Sequence, residues 1–431
     1  MTSVDAGQII QSTHKDLITI KECEQVVRSS LRINNPLIVD YRLHKISGHI
    51  GFLGEYFQLE ITVENDGIQF VERYFLKSLP LDNVPRRTMI EEKGFFRKEV
   101  QVYTKLLSDF GHNDQAFKWR PNCYLARDDL LVMEDLKRHH GFSVLQSRTE
   151  LRPAHMRLIL DAVSQMHAVS LNYEINDATG KRLDEICADG MLDMSGLKDN
   201  SWFMAGLSAI KVIALNGTNY CKDSFKKQMI EQQLGNKLRR VFDLCISSNK
   251  FRNVFTHRDV WLNNLMFQFE KSAITGEDDL NAPKKCILLD FQVCCYLPPV
   301  VDFLLTMYLN TDRCYREKYL KEHFEDYRNA LTNRLKQFGL ELEELFGSNE
   351  LQVSLEHYKM IGLVFGGIYR ALTDLPENVL DELSRNDPER YHMYCNVNRD
   401  ELVLKYLHED EDYRRNMVEI VEELLEISFG F

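Results

Sequence analysis

Near residue 150 the sequence pattern changes from mainly strand signals to mainly helical spacing, and this change limits the folds that the chain can adopt. Before that point, the stretch "YFQLEITVENDGIQFVERYFLKSLP" holds two β-rich runs around Asn65, Asp66 and Gly67, which is a hairpin signal. The stretch "CYLARDDLLVMEDL" predicts two further strands. Between the two pairs, apolar residues at helical spacing and a terminal glycine predict one helix: Phe96, Val100, Tyr103, Leu107 and Gly111. These elements predict a small antiparallel sheet with one helix.

The rest of the chain is predicted to be mainly helical. A leading helix is expected over 16–33, and helical spacing recurs after residue 150, over 223–246 and from about 300 onward. Two short strand-like stretches interrupt the helices, at 254–267 and in "KCILLDFQVC". The polar segment 270–284 between them is expected to be an exposed loop. The pattern therefore predicts an α+β protein with domains at 1–134 and 135–431, packed together across a cleft.

Composition narrows the class of protein. The chain has 431 residues, of which 44% are hydrophobic and 27% charged, as in soluble globular proteins with a large core. A net charge of -12 argues against a nucleic-acid or anionic-membrane binder, since both need a basic face. No signal-peptide layout or membrane-spanning run is present, so a cytoplasmic location is expected. The 10 cysteines contain no CxxC and suggest neither a disulfide framework nor a zinc site.

The stretch "VFTHRDVWLNNLMF" places polar groups within what reads as a buried hairpin. A buried carboxylate such as Asp259 needs a cation, a metal or a chemical role, because burial without compensation costs several kcal/mol. Phosphoryl transfer from ATP requires a carboxylate that receives the proton of the acceptor hydroxyl, and oxygen ligands for Mg²⁺. Asp259 is the predicted base. Asn264, five residues later, and Asp290, in "LLDFQ", are the predicted metal ligands, at one end of the hairpin.

The strand-rich part supplies a lysine and a glutamate that fit the same chemistry. Lys77 shares a strand face with Phe75 and Leu79, so its ammonium is expected to point into a cleft. Glu99 lies on the apolar face of the predicted helix, where a glutamate is out of place unless it pairs. An ion pair between Lys77 and Glu99 would place the lysine for the α and β phosphates of ATP. Considered separately, a lysine such as Lys77 more often lies on an edge strand with its ammonium in solvent, and a glutamate such as Glu99 more often forms a surface ion pair.

Two backbone segments are candidates for binding the rest of the nucleotide. Gly48, Gly51 and Gly54 in "SGHIGFLGEYF" allow the backbone to approach phosphate oxygens, although their spacing is not GxGxxG. The segment "LLVMEDL" leads from a strand into the helical part, and backbone groups around Glu134 and Leu136 could bond an adenine edge. The joint occurrence of these features, in this order, favours a phosphoryl-transfer site over a purely structural role for each residue.

Other polar residues are given structural interpretations. His167 is expected to be a satisfied core histidine, and His257 and Arg258 are expected to brace the loop around Asp259. Asn263 is interpreted as a turn residue. Trp202, Phe203, Tyr220 and Tyr308 are candidate linings for an acceptor pocket, with a core position as the commoner case for such residues.

The motifs resemble those of the protein-kinase-like superfamily, and within it the ecdysteroid-kinase-like branch, also called CHK-kinase-like. That branch is similar in fold to choline kinases and aminoglycoside phosphotransferases. The resemblance covers roughly residues 45–310 and is carried by these stretches: "GEYF", "FLK", "FRKEVQVY", "VMEDL", "SQMHAVSL", "HRDVWLNNLMF" and "LLDFQVCCYLPPVVDFL". Arg258 stands where relatives commonly have glycine. The resemblance implies a bilobal fold, with a small antiparallel-sheet N-terminal lobe carrying one key helix and a large, mainly helical C-terminal lobe.

The resemblance also implies ATP- and Mg²⁺-dependent phosphorylation of a small-molecule hydroxyl, with an ecdysteroid, another steroid-like alcohol or a xenobiotic as candidate acceptors. Only eleven residues separate Asp290 from Asp302, and "VVDFLLTMYL" is already helical. This leaves no room for the peptide platform of protein kinases, so a peptide substrate is not expected. The alternative function is a catalytically inactive kinase-like module that binds a nucleotide or another ligand.

Overall fold

A computed structural model of the chain describes residues 17–46, 54–81, 84–110, 118–187, 192–193 and 195–431. The chain divides into two compact units, one formed by Met1–Ala162 with Asn263–Val293 and the other by Val163–Leu262 with Cys294–Phe431. The predicted α+β class is confirmed, because an antiparallel sheet dominates the N-terminal region and helices dominate the C-terminal part. The predicted domain boundary after residue 134 stays a prediction.

The elements are numbered in chain order. The strands are β1 (Leu37–Lys45), β2 (Glu55–Asn65), β3 (Ile68–Ser78), β4 (Cys123–Arg127), β5 (Leu130–Glu134), β6 (Phe142–Ser143), β7 (Val254–Thr256), β8 (Leu265–Lys271), β9 (Asp278–Leu288) and β10 (Cys295–Leu297). The helices of the N-terminal region are α1 (Ile20–Leu31), α2 (Val84–Lys93), α3 (Phe95–Gln101), a π-helical segment (Val102–Leu106), α4 (Leu107–Asp109) and α5 (Leu136–His140). The remaining helices are α6 (Pro153–Asn176), α7 (Leu183–Ile186), α8 (Ser201–Asn216), α9 (Ser224–Arg239), α10 (Val241–Leu244), α11 (Val300–Asn310), α12 (Arg313–Lys336), α13 (Leu342–Phe346), α14 (Glu350–Thr373), α15 (Val379–Asn386), α16 (Pro388–Asn396), α17 (Asp400–Glu409) and α18 (Glu411–Phe429).

The first unit contains an antiparallel sheet with the strand order β1-β2-β3-β5-β4. The hairpin predicted around residues 65–67 is confirmed, since Asn65 pairs with Ile68 across a two-residue turn in which Asp66 and Gly67 both have positive φ. Buried apolar side chains alternate with more exposed ones along β2 and β3, so one face of the sheet is buried. The buried residues on that face include Leu59, Ile61, Val63, Tyr74 and Leu76.

Helix α1 covers this buried face of the sheet. Its start is fixed by a capping box in which the Glu22 N–H donates to Oγ1 of Thr19 at 3.3 Å and the Thr19 N–H donates to Oε2 of Glu22 at 2.8 Å. Arg127 of β4 ties the cap to the sheet, because its Nη1 lies 2.6 Å from Oε1 of Glu22. The predicted leading helix is therefore present and packs its apolar residues Cys23, Val26 and Val27 into the core.

A second sheet of the first unit has the order β6-β8-β9. The prediction that residues 270–284 form a loop is wrong for most of the segment, because β9 begins at Asp278 and only 272–277 connect the two strands. The hairpin pairs Lys271 with Asp278 and runs to Leu265 opposite Leu288. The polar residues that indicated a loop lie in strands instead. This end of the hairpin is largely exposed, and exposed strand positions accept polar side chains.

The second unit is built mainly from helices. Helix α14 packs closely on α11 because Gly362 allows the approach: a Cβ at this position would lie 2.4 Å from Cδ2 of Tyr308. Strands β7 and β10 form a short antiparallel pair that positions the segment after Thr256. Of the helices in the described part of the chain, none combines the length and the apolar character that a bilayer crossing would need.

Candidate active site

Lys77 lies near the end of β3, in the middle of the sheet. Its neighbours across the strands are Tyr56 on β2 and Leu131 on β5. Because successive side chains alternate between faces, Leu76 enters the core beneath α1 and Lys77 points to the opposite face. The lysine is nevertheless only 3% exposed, so its ammonium needs partners within the protein.

Two carboxylates provide those partners. The Nζ of Lys77 lies 2.6 Å from Oε2 of Glu99 and 3.0 Å from Oδ1 of Asp290. The predicted ion pair between Lys77 and Glu99 is therefore confirmed. Both carboxylates raise the pKa of Lys77 even though burial opposes them, so the lysine stays a cation. Burial raises the pKa of Glu99 to about 7 against the opposing effect of the Lys77 ammonium.

Glu99 reaches this position from α3 and also contacts the segment after β9. Its Oε1 accepts a hydrogen bond from the backbone N–H of Phe291 at 3.3 Å. The ring of Phe291 then packs edge-on against Tyr103, with ring centroids 5.7 Å apart. Tyr103 belongs to the π-helical segment that directly follows α3, and such segments are frequent at functional sites. The helix that carries Glu99 is thus packed against the residue next to Asp290.

Asp290 follows β9 and has a φ of 67°, in the left-handed region that costs a non-glycine residue about 1 kcal/mol. The preceding residue anchors it, because the Leu289 N–H donates to the backbone oxygen of Asn264 at 2.9 Å. The two predicted metal ligands, Asn264 and Asp290, therefore flank one end of the β8–β9 hairpin. Asn264 is buried, while the Asp290 side chain keeps 17% exposure, so one of its faces stays accessible.

Gly54, one of the predicted phosphate-binding glycines, lies beside Lys77. A Cβ at Gly54 would lie 3.3 Å from the backbone oxygen of Ser78 and 3.4 Å from both Cγ and Cε of Lys77. The missing side chain therefore leaves room along the lysine. The other predicted phosphate-binding glycine, Gly51, and the neighbouring Gly48 lie outside the described residues.

Glu134 and Leu136, predicted to present backbone groups to an adenine, end β5 and begin α5. The Glu134 N–H is already used, because it donates to the backbone oxygen of Asn122 at 2.9 Å. Leu136 is the first residue of α5, where an N–H has no acceptor within the helix. Binding of an adenine edge by backbone groups around Glu134 and Leu136 stays a prediction.

The Glu134 side chain belongs to a buried polar cluster that was not predicted. Its Oε1 binds the ammonium of Lys118 and lies 2.5 Å from Nε2 of His140, and its Oε2 accepts the Asn122 N–H at 3.2 Å. Burial lowers the pKa of Lys118. A glutamate inside the apolar run "LLVMEDL" was the only sequence signal, and it did not identify the partners.

Asp259, the predicted base, lies in the second unit, in the segment that follows β7. The segment turns tightly: the Trp261 N–H donates to the Asp259 backbone oxygen at 3.0 Å, and the Asp259 N–H donates to Nδ1 of His257 at 3.3 Å. Arg258 within the turn has a φ of 66°. The Asp259 side chain is buried. The role of this residue as base stays a prediction.

The turn before Asp259 is held by the carboxylate of Asp302, which was not among the site residues predicted from the sequence. Oδ2 of Asp302, on α11, accepts the His257 N–H at 2.7 Å, and Oδ1 accepts the Arg258 N–H at 2.7 Å. His167 lies 3.0 Å from the same Oδ2 through Nε2 and 2.8 Å from the Tyr327 hydroxyl through Nδ1, as expected of a satisfied core histidine. The signal that could have identified Asp302 is a carboxylate in the apolar run "VVDFLLTMYL".

The aromatic candidates for pocket lining divide by burial. Phe203 and Tyr308 are core residues, in line with the commoner interpretation, whereas Trp202 and Tyr220 are half-buried.

Among the residues that the structure describes, no group of three or more His, Cys, Asp or Glu side chains is arranged to hold a metal. A site of one amide and one carboxylate suits Mg²⁺, which usually keeps several waters and binds phosphate oxygens.

Comparison with known proteins supports a kinase. Residues 51–340 match the model of the ecdysteroid kinase-like family. No match was found among curated proteins. Among solved structures, the chain is similar to the microcompartment-associated aminopropanol kinase, with 14% sequence identity over 83% of this chain and 97% of that chain and a TM-score of 0.31. A TM-score this low adds nothing to the family match.

Proposed function

Because the chain belongs to the ecdysteroid kinase-like family, we propose that it transfers the terminal phosphoryl group of ATP to a hydroxyl group of a small molecule. The observation that carries the proposal is the buried ammonium of Lys77 held between Glu99 and Asp290. A phosphoryl-transfer site needs a fixed cation next to a carboxylate that can bind a metal, and the first unit contains this pair.

The residues of the first unit fit a nucleotide and Mg²⁺. Lys77 would bind phosphate oxygens, Glu99 would orient the lysine, and Gly54 leaves space beside the lysine where a Cβ would intrude. Asn264 and Asp290 would hold Mg²⁺, which neutralises charge on the phosphate oxygens when it is bound. Backbone groups of Glu134 and Leu136 would bind the adenine edge.

In the second unit, Asp259 would receive the proton of the acceptor hydroxyl. Two hydrogen bonds from the backbone of His257 and Arg258 to Asp302 fix the residues before it, so the backbone that carries this carboxylate is held in place. Asp302 is a positioning residue in this scheme. The candidate acceptors are ecdysteroids, other steroid-like alcohols and xenobiotics. The short connection between Asp290 and Asp302 argues against a peptide acceptor.

The test is a transfer assay with labelled ATP and Mg²⁺ on a panel of ecdysteroids, sterols, choline-like amines and plant glycosides. We expect the mass of one added phosphate on at least one acceptor with the wild-type protein and none with Asp259→Ala. Generic peptides serve as the control for protein-kinase activity and should stay unmodified. Binding of MgATP without any transfer by the wild type would favour the inactive-module alternative.

A further inference from the structure

Helix α11 carries three short polar side chains within an otherwise apolar helix. All 11 of its residues are buried. Asp302, Thr306 and Asn310 follow one another at intervals of four residues, so they lie on one face of the helix. Burial of a polar side chain is unfavourable unless its hydrogen-bonding groups find partners, so the partners of this polar face show what it holds.

Asn310, the last residue of α11, binds the residue that follows the predicted base. Its Nδ2 donates to the backbone oxygen of Val260 at 2.7 Å and to that of Thr306 at 2.9 Å. Backbone oxygens only accept hydrogen bonds, so the group that faces both of them must be the amide nitrogen. Asn310 thereby links α11 to the backbone next to Asp259.

The two halves of the Asn310 amide have different surroundings. The residue is 2% exposed, and its Oδ1 has no hydrogen-bond partner among the described residues. A buried acceptor without a partner lowers stability. A leucine at this position would bury no such acceptor, but it could not donate to Val260. The group that Asn310 supplies here is therefore the N–H donor.

The two ends of the polar face hold the backbone on both sides of Asp259. Asp302 accepts the N–H groups of His257 and Arg258, at 2.7 Å each, and Asn310 binds the residue after Asp259. Both sets of hydrogen bonds come from one buried helix. A catalytic carboxylate depends on such positioning, because a displacement of about 1 Å can cost on the order of a hundredfold in rate.

We propose that Asn310 is a positioning residue for phosphoryl transfer, which holds the backbone after Asp259 so that its carboxylate meets the acceptor hydroxyl. The inference rests on the proposed function. In that reaction the acceptor oxygen forms a bond to the γ-phosphorus of ATP, the bond from this phosphorus to the bridging oxygen breaks, ADP leaves, and Asp259 receives the hydroxyl proton. Asn310 contacts neither substrate in this scheme, so its loss should slow the transfer without weakening substrate binding.

The first test compares the steady-state kinetics of the wild type, Asn310→Leu and Asn310→Ser, each assayed well below its melting temperature. Leucine has no donor, and serine can bond the Thr306 oxygen one turn back but is too short to replace the contact with Val260. We expect kcat to fall on the order of tenfold in both variants, and the KM values for ATP and for the acceptor to stay within about twofold. An unchanged kcat, or KM values that rise as much as kcat falls, would overturn the proposal.

Thr311→Val is the matched control for these variants. Thr311 is the next residue and is also buried, but its Oγ1 donates to the backbone oxygen of Met307, at 2.6 Å, on α11 itself. We expect this variant to keep the wild-type kcat. A loss of kcat as large as that of Asn310→Leu would show that any hydrogen bond lost at this end of α11 has the same effect, and would contradict a specific role of Asn310.

The second test follows hydrogen exchange by mass spectrometry and requires no transfer activity. The Asp259 N–H donates to Nδ1 of His257 at 3.3 Å, and the Trp261 N–H donates to the Asp259 oxygen at 3.0 Å. We expect peptides that contain residues 257–262 to exchange these amides at least about tenfold faster in Asn310→Leu, while peptides from α14 keep their protection.

Exchange at the wild-type rate would show that Asn310 does not hold the turn and would overturn the inference. A wild-type protein that transfers phosphate to no acceptor would contradict the proposed function, and with it the catalytic part of this inference. The exchange rates would still decide whether Asn310 holds the backbone after Asp259, so the two failures are distinguishable.

Discussion

The carboxylate of Glu99 binds the ammonium of Lys77 through one oxygen, at 2.6 Å, and the backbone N–H of Phe291 through the other, at 3.3 Å. Glu99 therefore connects the strand that carries Lys77 with the segment that carries Asp290. Charge-assisted hydrogen bonds of this kind are strong and directional, so the position of the lysine depends on the helix that carries Glu99.

Replacing Glu99 should impair nucleotide use more than it impairs folding. In Glu99→Gln the amide keeps an acceptor for Phe291 but loses the negative charge beside Lys77. We expect kcat/KM for ATP to fall on the order of tenfold or more. The matched control is Glu60→Gln, which breaks the partly exposed pair with Arg73 on the same sheet and should leave the kinetics unchanged. Equal kinetics for wild type and Glu99→Gln would contradict the role of this ion pair.

Asp302 should be required for both stability and turnover. Asp302→Ala leaves two buried backbone N–H groups, of His257 and Arg258, without their acceptor, at a cost of about 1 to 3 kcal/mol each. We expect a large fall in the denaturant midpoint and in kcat. Asp312→Ala, which removes only the exposed N-terminal cap of α12, should cost about 1 kcal/mol and leave kcat unchanged. Similar effects of the two variants would show that Asp302 does not hold the turn.

A side chain at Gly54 should interfere with Lys77. In Gly54→Ala the new Cβ would contact Lys77 at 3.4 Å, and Gly54→Val would add two further methyl groups in the same space. We expect the Kd for MgATP, measured by isothermal titration calorimetry, to rise slightly for alanine and at least tenfold for valine. A valine variant with unchanged affinity would show that the space beside Lys77 does not accept the nucleotide.

The buried cluster around Glu134 should make stability depend on pH. Burial by itself would raise the pKa of Glu134, but Lys118, the Asn122 N–H and His140 hold it below the usual value. A lowered pKa in the folded state stabilises the protein above the unfolded value, about 4.3, and this contribution is lost as the pH falls through the folded pKa. The melting-temperature gap between wild type and Glu134→Gln should therefore stay nearly constant from about pH 7 to about pH 5 and narrow as the pH falls further towards pH 3. A gap that is constant over this range would contradict the assignment.

The sequence was sufficient to predict elements whose signals are local. Two β-rich runs around Asn65, Asp66 and Gly67 predicted the β2–β3 hairpin, and a glutamate on an apolar helix face predicted the partner of Lys77. The π-helical segment after α3 was not predicted, because apolar residues spaced for an α-helix do not reveal one wider turn. The partners of Glu134 and Asp302 come from distant parts of the chain, and no local pattern links residues whose contact depends on the whole fold.

The most direct test of the proposed kinase activity is the rate of ADP formation from MgATP in the presence of the acceptor panel, for the wild type and for Asp259→Ala. We predict turnover by the wild type and a loss of at least about a hundredfold in kcat for the variant, with the Kd for MgATP nearly unchanged. An Asp259→Ala variant that turns over ATP as fast as the wild type would contradict the assignment of Asp259 as the base. A wild type that binds MgATP without turnover would contradict the proposed activity itself.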